Sequence, residues 1–291
     1  MKLASLPLAR RAGLFRLTNS LVLYLLLATV VVLFILPYIW MLGSAFKPRS
    51  ELFANVFPVS WKTFIPLSPT LDNMDRLINE HGFLRQIWNT LLLSAVTVTG
   101  SVLICSMMGF VLGMLEFPGR KILYLLIMFT LMLPFETRMI PTFLVVQDLG
   151  LANTFTALYL PWLSDAFLIL LFANHFSELP SELYNAAIID GCPHWRILWS
   201  IMLPNITPSL VSGGLIKFFF AWDSYVWPLI ILRSPKWQVI GVGIASLFTD
   251  QSIAWELIFA GSLLSTIPVI ILFFSLQRHY VAGMSTGGSK E

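Results

Sequence analysis

Long uncharged runs constrain this chain more than any other feature of its sequence. Thirty consecutive residues between Arg16 and Lys47 carry no charged side chain, and a second run of thirty lies between Arg85 and Glu116. Because a helix needs about 20 mostly apolar residues to cross a bilayer, each run is long enough to span a membrane. Only 11% of the 291 residues are charged, whereas soluble domains have about 25%. The sequence therefore predicts a polytopic helical membrane protein and argues against a soluble enzyme.

The same test along the whole chain predicts an all-α fold with six transmembrane helices. Three spans are free of charge, at residues 21–42, 87–115 and 257–277. Three others carry charged residues: one that starts at 122 and continues through Glu136 and Arg138, and two at 155–175 and 206–232. Small residues in the second span are expected to let neighbouring helices approach closely. They are Ser94, Ser101, Ser106, Gly109 and Gly113.

Basic residues predict the orientation of these spans, because short loops rich in Lys and Arg stay in the cytoplasm. The amino-terminal tail, residues 1–20, has four of them, and Arg120 and Lys121 follow the second span. Six spans then return the carboxyl terminus to the same side. The expected layout is a six-helix domain at 21–280, external loops at 43–86 and 233–255, and a cytoplasmic tail at 281–291. We call residues 43–86 the external segment.

The connection between the fourth and fifth spans, residues 177–204, is long for a helical bundle. Ser181 to Ile189 is typical of a short helix after Pro180, and residues 194–202 are typical of a second one. Asp190-Gly191 predicts the turn between them, because glycine tolerates a positive φ.

Four residue pairs within residues 177–204 resemble the coupling loop, or EAA loop, of permease subunits of binding-protein-dependent ABC importers. We call residues 177–204 the coupling segment after this resemblance. They are Glu182-Leu183, Ala186-Ala187, Asp190-Gly191 and Leu203-Pro204. The resemblance continues through Leu115 to Gly119, Ala221 to Asp223 and Gln277 to Gly283, and it is greatest to the second of two non-identical permeases in the carbohydrate-uptake branch. It implies the type I ABC importer permease fold.

One position departs from that family pattern. Asn185 stands where the family usually has the glutamate that opens the EAA triplet. An amide can hydrogen-bond but cannot form the charge-assisted pair that a carboxylate makes with an arginine. Glu182 lies one turn earlier on roughly the same helical face and is the expected substitute.

The resemblance also implies partners and a location. It implies a bacterial inner-membrane protein with both termini in the cytoplasm, embedded in membrane lipid. It implies a second, non-identical permease, two ATPase subunits that bind ATP and Mg, and a periplasmic or extracellular solute-binding protein. The residues implied to contact the ATPase are Glu182, Leu183, Asn185, Ala186, Ala187, Asp190, Gly191 and Pro204. In the family the glycine-containing tail reaches toward the ATPase dimer, which would involve Gly287 and Gly288.

Charged residues at membrane depth are the candidates for the substrate path, because an ionisable side chain facing lipid costs about 2.5–3.5 kcal/mol. Lys217 and Asp223 are therefore expected to face the bundle interior or a partner subunit. Aromatic residues beside Asp223 could stack on a polyol or sugar, although Trp and Tyr also concentrate at membrane interfaces. The resulting set is Lys217, Trp222, Asp223, Tyr225 and Trp227.

The sequence shows no signature of chemistry within the chain. It has no phosphate-binding loop and no nucleophile elbow. The four histidines are too far apart for a helical zinc pair. We therefore expect no catalytic residue, no metal, no cofactor and no nucleic-acid partner.

Three alternative functions stay open at this point. One is an importer of glycerol phosphate or a related glycoside. Another is a secondary transporter driven by ions through Asp165 and Asp223, which internal inverted repeats would support. The third, a membrane-embedded enzyme, lacks a clustered set of catalytic residues.

Overall fold

The computed structural model describes residues 8–248 and 253–287, with side chains from 20 to 248 and from 253 to 275. Its regular elements are helices, as the sequence predicts. The α-helices are, in chain order, α1 Leu8–Ala45, α2 Arg49–Leu52, α3 Trp61–Phe64, α4 Asp72–Asn79, α5 Phe83–Met114, α6 Arg120–Leu131, α7 Phe135–Asp148, α8 Phe155–Tyr159, α9 Ala166–Ser177, α10 Ser181–Ile189, α11 His194–Ile197, α12 Leu203–Asn205, α13 Thr207–Trp222, α14 Val226–Ile231, α15 Ile240–Ala245 and α16 Trp255–Gly287.

Three helical stretches are each long and apolar enough to cross a membrane. They are Ser20–Ala45, Phe83–Met114 and Trp255–Ser275. These stretches confirm the three uncharged spans that the sequence predicts.

The predicted third span is not one continuous helix. α6 and α7 meet at an angle of 103°, with Pro134 in the break and Glu136 in the first turn of α7. Proline lacks the amide proton that a continuing helix needs and disfavours helical geometry at the residue before it. The predicted third span is therefore broken between Leu131 and Phe135 and does not continue as one helix through Glu136 and Arg138.

The predicted fourth span is also bent, by 44°, between Phe155–Trp162 and Ala166–Ser177. Asp165 starts the second part, because its Oδ1 accepts hydrogen bonds from the backbone N–H groups of Phe167 and Leu168. If each bent pair counts as one span, the described residues contain up to five candidate spans.

The predicted fifth span, 206–232, is divided into α13 and α14. α13 has 16 residues and is short of the ~20 needed to cross alone. The chain leaves helical geometry at Asp223 to Tyr225, and α14 begins at Val226. The total of six spans remains a prediction.

The chain divides into two units, the first formed by residues 1–80 and 252–264 and the second by 81–251 and 265–291. In the second unit, α5, α9 and α13 pack closely because small residues lie at their contacts. A Cβ atom added to Gly109 would lie 2.8 Å from the Phe172 Cβ, and one added to Gly113 would lie 2.6 Å from the Ala173 carbonyl oxygen. Packing this tight confirms the close helix approach expected at both glycines.

In the first unit, buried polar side chains hold the external segment together. Lys47, 1% exposed, donates from its ammonium to the carbonyls of Lys62 at 3.0 Å and Thr63 at 2.8 Å. Asn73 donates to the carbonyls of Ala45 and Lys47. Burial lowers the pKa of Lys47, and the carboxylate of Glu51 partly opposes this shift. The segment is thus folded on its own polar core.

The expected tails are partly helical. α1 already begins at Leu8 within the predicted tail 1–20, and α16 continues to Gly287 within the predicted tail 281–291. Gly288 lies outside the described residues.

Candidate functional site

The coupling segment folds as two short helices joined by a tight turn. α10 has the bounds that the sequence predicts. α11 starts at His194 and continues as a π-helical turn through Leu198–Met202 into α12. A helical hairpin in this position confirms the local prediction.

Gly191 makes the turn after α10. Its φ is +75°, and its N–H donates to the Ile188 carbonyl at 3.0 Å while that of Cys192 donates to the Ala187 carbonyl at 3.0 Å. This pair of bonds is the Schellman motif, in which a residue with positive φ satisfies the last carbonyls of a helix. Glycine adopts this conformation without the penalty that a Cβ brings.

One side of the hairpin is fixed to the core of its unit. Ala187 is 4% exposed and belongs to a hydrophobic cluster with Ile197, Met202, Phe110 and Phe172. Ala187, expected as a contact to the ATPase, is therefore an internal packing residue. Its burial anchors α10 to helices α5 and α9.

Tyr184 links the two helices of the hairpin. Its hydroxyl lies 3.0 Å from Nδ1 of His194, and the two rings stack at 6.0 Å. The ring of Tyr184 also lies 6.2 Å from that of Phe110. Burial raises the pKa of the Tyr184 hydroxyl. Through these contacts Tyr184 connects α10 to α11 and, by way of Phe110, to α5.

Several apolar side chains of the hairpin are exposed. Ile189 is 85% exposed, Ile188 41% and Leu183 40%. Trp195, which the sequence reasoning missed, is 67% exposed. The remaining members of the predicted contact set are exposed as well: Glu182, Asn185, Ala186, Asp190, Gly191 and Pro204. Glu182, Asn185 and Ile189 follow helical spacing, so the acid and the amide share one exposed face.

Lys217 forms a buried ion pair. Its ammonium lies 2.8 Å from Oδ2 of Asp165, its side chain is 2% exposed, and it sits 4.5 Å from the ring centroid of Phe220. Both charges at membrane depth are therefore satisfied within the protein. Lys217 faces the protein interior as expected.

The break between α13 and α14 borders a cavity of about 540 Å³. Asp223, Tyr225 and Trp227 line it, as expected of a shared site. Trp227 is 2% exposed and donates from Nε1 to the Ala157 carbonyl at 2.9 Å. Trp222 does not line this cavity; it is 5% exposed and stacks on Phe218.

Sequence reasoning missed four aromatic residues of this cavity, Phe135, Trp162, Phe219 and Phe220. Phe219 and Phe220 lie one turn before Asp223, so helical spacing could have indicated them. Phe135 and Trp162 come from distant parts of the chain, where no local pattern marks them. The ring centroids of Trp162 and Trp227 lie 5.4 Å apart in a T-shaped arrangement.

The described residues contain no group of three or more His, Cys, Asp or Glu side chains that could hold a metal ion. Cys105 is buried and Cys192 is partly buried, and both are free thiols.

Comparison with known proteins decides the family. Residues 101–286 match the family described as "Binding-protein-dependent transport system inner membrane component". The chain belongs to this family. The resemblance inferred from the coupling segment is therefore confirmed, and this inner membrane transport component is a permease by family.

Curated relatives of the permease carry names of sugar and glycerol-phosphate systems. The arabinooligosaccharides transport system permease of Halalkalibacterium halodurans is 35% identical over 90% of this chain and 94% of the relative. The lactose transport system permease of Rhizobium radiobacter is 30% identical over 91% and 94%. The sn-glycerol-3-phosphate transport system permease of Brucella abortus is 32% identical over 69% and 72%.

Solved structures show the fold of this permease. A chain of a bacterial ABC transporter involved in the import of the acidic polysaccharide alginate matches with a TM-score of 0.80 at 22% identity, covering 93% of this chain and 98% of that one. A second match, with a TM-score of 0.59 at 17% identity, covers 90% and 96% and comes from a complex with a periplasmic protein that holds an alginate pentasaccharide. The likeness confirms the predicted type I permease fold.

Proposed function

We propose that this permease is one membrane subunit of an ATP-driven importer for a sugar, an oligosaccharide or a polyol-like solute. In the proposed assembly it pairs with a second, non-identical permease, two ATPase subunits and a periplasmic solute-binding protein. The ATPase subunits bind and hydrolyse ATP with Mg, while this chain supplies no catalytic residue and no cofactor. Family membership and the names of the relatives support this proposal.

The exposed apolar face of the coupling segment is the observation on which the proposal depends most. A side chain as exposed as Ile189 favours contact with another protein when it projects from a rigid hairpin beside other apolar residues. Glu182 and Asn185 on the same face supply hydrogen-bond acceptors for a basic or polar partner group. We assign this face to a groove of the ATPase, with Glu182 in place of the missing EAA glutamate.

Transmission of movement follows from the anchoring of the hairpin. Ala187 and Tyr184 tie α10 to the core cluster that holds α5 and α9. A displacement of the hairpin by closing ATPase subunits is therefore passed to the membrane helices instead of being absorbed by a loose loop. Such rocking would alternate access to the cavity beside Asp223.

The proposed topology places the coupling segment and both termini in the cytoplasm. It places the external segment and residues 233–255 on the opposite side, where the solute-binding protein docks. Basic residues near the amino terminus and after the second span support this orientation.

An ion-coupled secondary transporter is less well supported by the geometry. Asp165, one of the two acids that it would use, is paired with Lys217 at 2.8 Å and caps α9. An acid held in both ways is poorly placed to exchange ions or protons. Glycerol phosphate remains the alternative solute.

Co-purification tests the proposal directly. The tagged chain is expressed with the proteins encoded beside it and extracted in mild detergent, and we expect a nucleotide-binding subunit to co-purify. Ile189→Asp should reduce its recovery at least tenfold, because a carboxylate would then be buried in the apolar contact. Ile65→Asp is a matched control, since Ile65 is 56% exposed in the external segment.

Two results would contradict this proposal. One is a chain that transports solute with no nucleotide-binding subunit. The other is full recovery of that subunit, with normal uptake, in the Ile189→Asp variant.

A further inference from the structure

The cavity beside Asp223 has an uneven distribution of charge. Its lining in the described residues consists of aromatic rings, Val226, Ser224 and a single charged group, the carboxylate of Asp223. Asp223 is exposed, and Tyr225 is 41% exposed. A solute entering this cavity therefore meets one negative charge, two hydroxyl groups and several ring faces.

Lys217 on α13 does not balance that charge. Its ammonium is bound to Asp165 at 2.8 Å and lies 4.5 Å from the ring centroid of Phe220, and Lys217 is not among the residues that line the cavity. The ion pair of Lys217 and Asp165 has no net charge, so it does not neutralise the negative charge of Asp223.

Charged residues on α7 also leave the balance unchanged. Glu136 and Arg138 follow Phe135, the cavity residue of that helix, and are exposed. Neither lines the cavity, and their opposite charges cancel at a distance.

Such a lining suits a neutral saccharide. A carboxylate accepts hydrogen bonds from sugar hydroxyl groups, and aromatic faces pack on the apolar faces of sugar rings. A phosphate or uronate would instead bring a second negative charge beside Asp223, and like charges repel each other.

We propose that Asp223 makes this cavity select neutral saccharides against anionic solutes such as sugar phosphates and uronates. The inference rests on the proposed function and deepens it, because the related permeases and the structural neighbour carry names of both neutral and acidic solutes. It assigns this chain to the importers of neutral saccharides, and it means that the membrane subunit helps to discriminate between solutes.

Binding to the assembled complex in lipid nanodiscs tests this inference. The solute-binding protein is omitted, so that only the membrane subunits select. The probes are a neutral pentose trisaccharide and a trisaccharide of uronic acid units, and saturation-transfer NMR measures both affinities. Wild type should bind the neutral probe at least about tenfold more tightly, a difference of about 1.4 kcal/mol.

Variants at Asp223 separate charge from shape. Asp223→Asn should reduce the preference to less than threefold, and Asp223→Glu should keep it because the charge is retained. Glu136→Gln combined with Arg138→Gln is the control: it removes two opposite charges from exposed positions beside the cavity and should leave the preference unchanged.

Each outcome bears on a definite claim. Equal affinity for the two probes in wild type, no binding of the neutral probe, or an unchanged preference in Asp223→Asn would overturn the charge selection. ATPase activity that the solute-binding protein still stimulates would show that the proposed importer stands even so. Loss of that stimulation in wild type would count against the importer itself.

Discussion

The coupling segment and the external segment both connect membrane helices, but different contacts fix them. The coupling segment is fixed from inside by apolar residues such as Ala187 and exposes others such as Ile189. The external segment buries Leu52 and Leu77 and is fixed in addition by polar residues, chiefly Lys47, Asn73 and Glu51. Glu51 accepts from the backbone N–H groups of Leu67 and Ser68.

This difference indicates different tasks. Buried polar groups bonded to backbone carbonyls specify one conformation and need no other protein to satisfy them. Outward apolar groups on a rigid hairpin are satisfied only when a partner covers them. The internal contacts of the external segment thus hold its fold, while its exposed apolar residues, such as Phe57 at 90%, are available to the proposed solute-binding protein as Ile189 is to the proposed ATPase.

The largest effect is expected from Gly191→Pro in the coupling segment. Proline requires a φ near −65°, whereas Gly191 has +75°, and it removes the N–H that bonds to Ile188. The hairpin should lose its turn, so solute uptake and solute-stimulated ATPase activity should be abolished while the chain still inserts into the membrane. Uptake assays and membrane fractionation measure both.

Two variants serve as controls for that change. Gly191→Asn should keep most activity, because asparagine tolerates a positive φ. Gly150→Pro does the same local damage elsewhere, since Gly150 has a φ of +70° and its N–H bonds to Gln147 in an equivalent turn. It should lower stability and still leave ATP hydrolysis coupled to uptake. Normal uptake by Gly191→Pro would refute the role given to the turn.

Lys47→Met is the corresponding change in the external segment, with a smaller effect of a different kind. It would leave the carbonyls of Lys62 and Thr63 buried without their donor, which costs about 2–3 kcal/mol. We expect faster proteolysis of the external segment and a lower thermal midpoint, with ATPase subunits still bound. Lys62→Met removes an exposed charge of the same type and should change neither quantity. If Lys47→Met released the ATPase subunits, the division of tasks between the segments would be wrong.

The sequence predicted best those features that depend on local spacing. Uncharged runs defined the spans of α1, α5 and α16, and the pattern around Asp190-Gly191 defined the hairpin. Features that depend on contacts between residues far apart in the sequence could not be predicted from it. No local signal indicates that Lys217 meets Asp165, that Ala187 points inward, or that Trp162 joins Trp227 at the cavity.

Helix breaks were the main source of error in the spans. Averaged hydropathy does not register that Pro134 ends a helix or that the chain turns between Asp223 and Tyr225. Both breaks border the same cavity, to which Phe135 and Asp223 contribute. Both interruptions, which hydropathy does not register, therefore lie beside the cavity that we propose for the solute.

Tyr184→Phe gives the smallest expected effect and tests how rigid the hairpin is. The change removes the bond to His194 but keeps the ring stacked, so the coupling segment should lose about 0.5 kcal/mol of stability, the low end for a partly exposed hydrogen bond.

This contribution depends on pH, because burial raises the pKa of the Tyr184 hydroxyl above its value in the unfolded chain. The stabilisation by the hydroxyl is complete below the unfolded pKa and is lost as the pH rises through the folded pKa. The thermal midpoints of wild type and variant should therefore converge above about pH 10. His175→Phe, a change at a partly buried histidine on α9 outside the hairpin, should show no such convergence. Equal thermal midpoints of wild type and Tyr184→Phe at pH 8 would show that the hydroxyl does not hold the two short helices together.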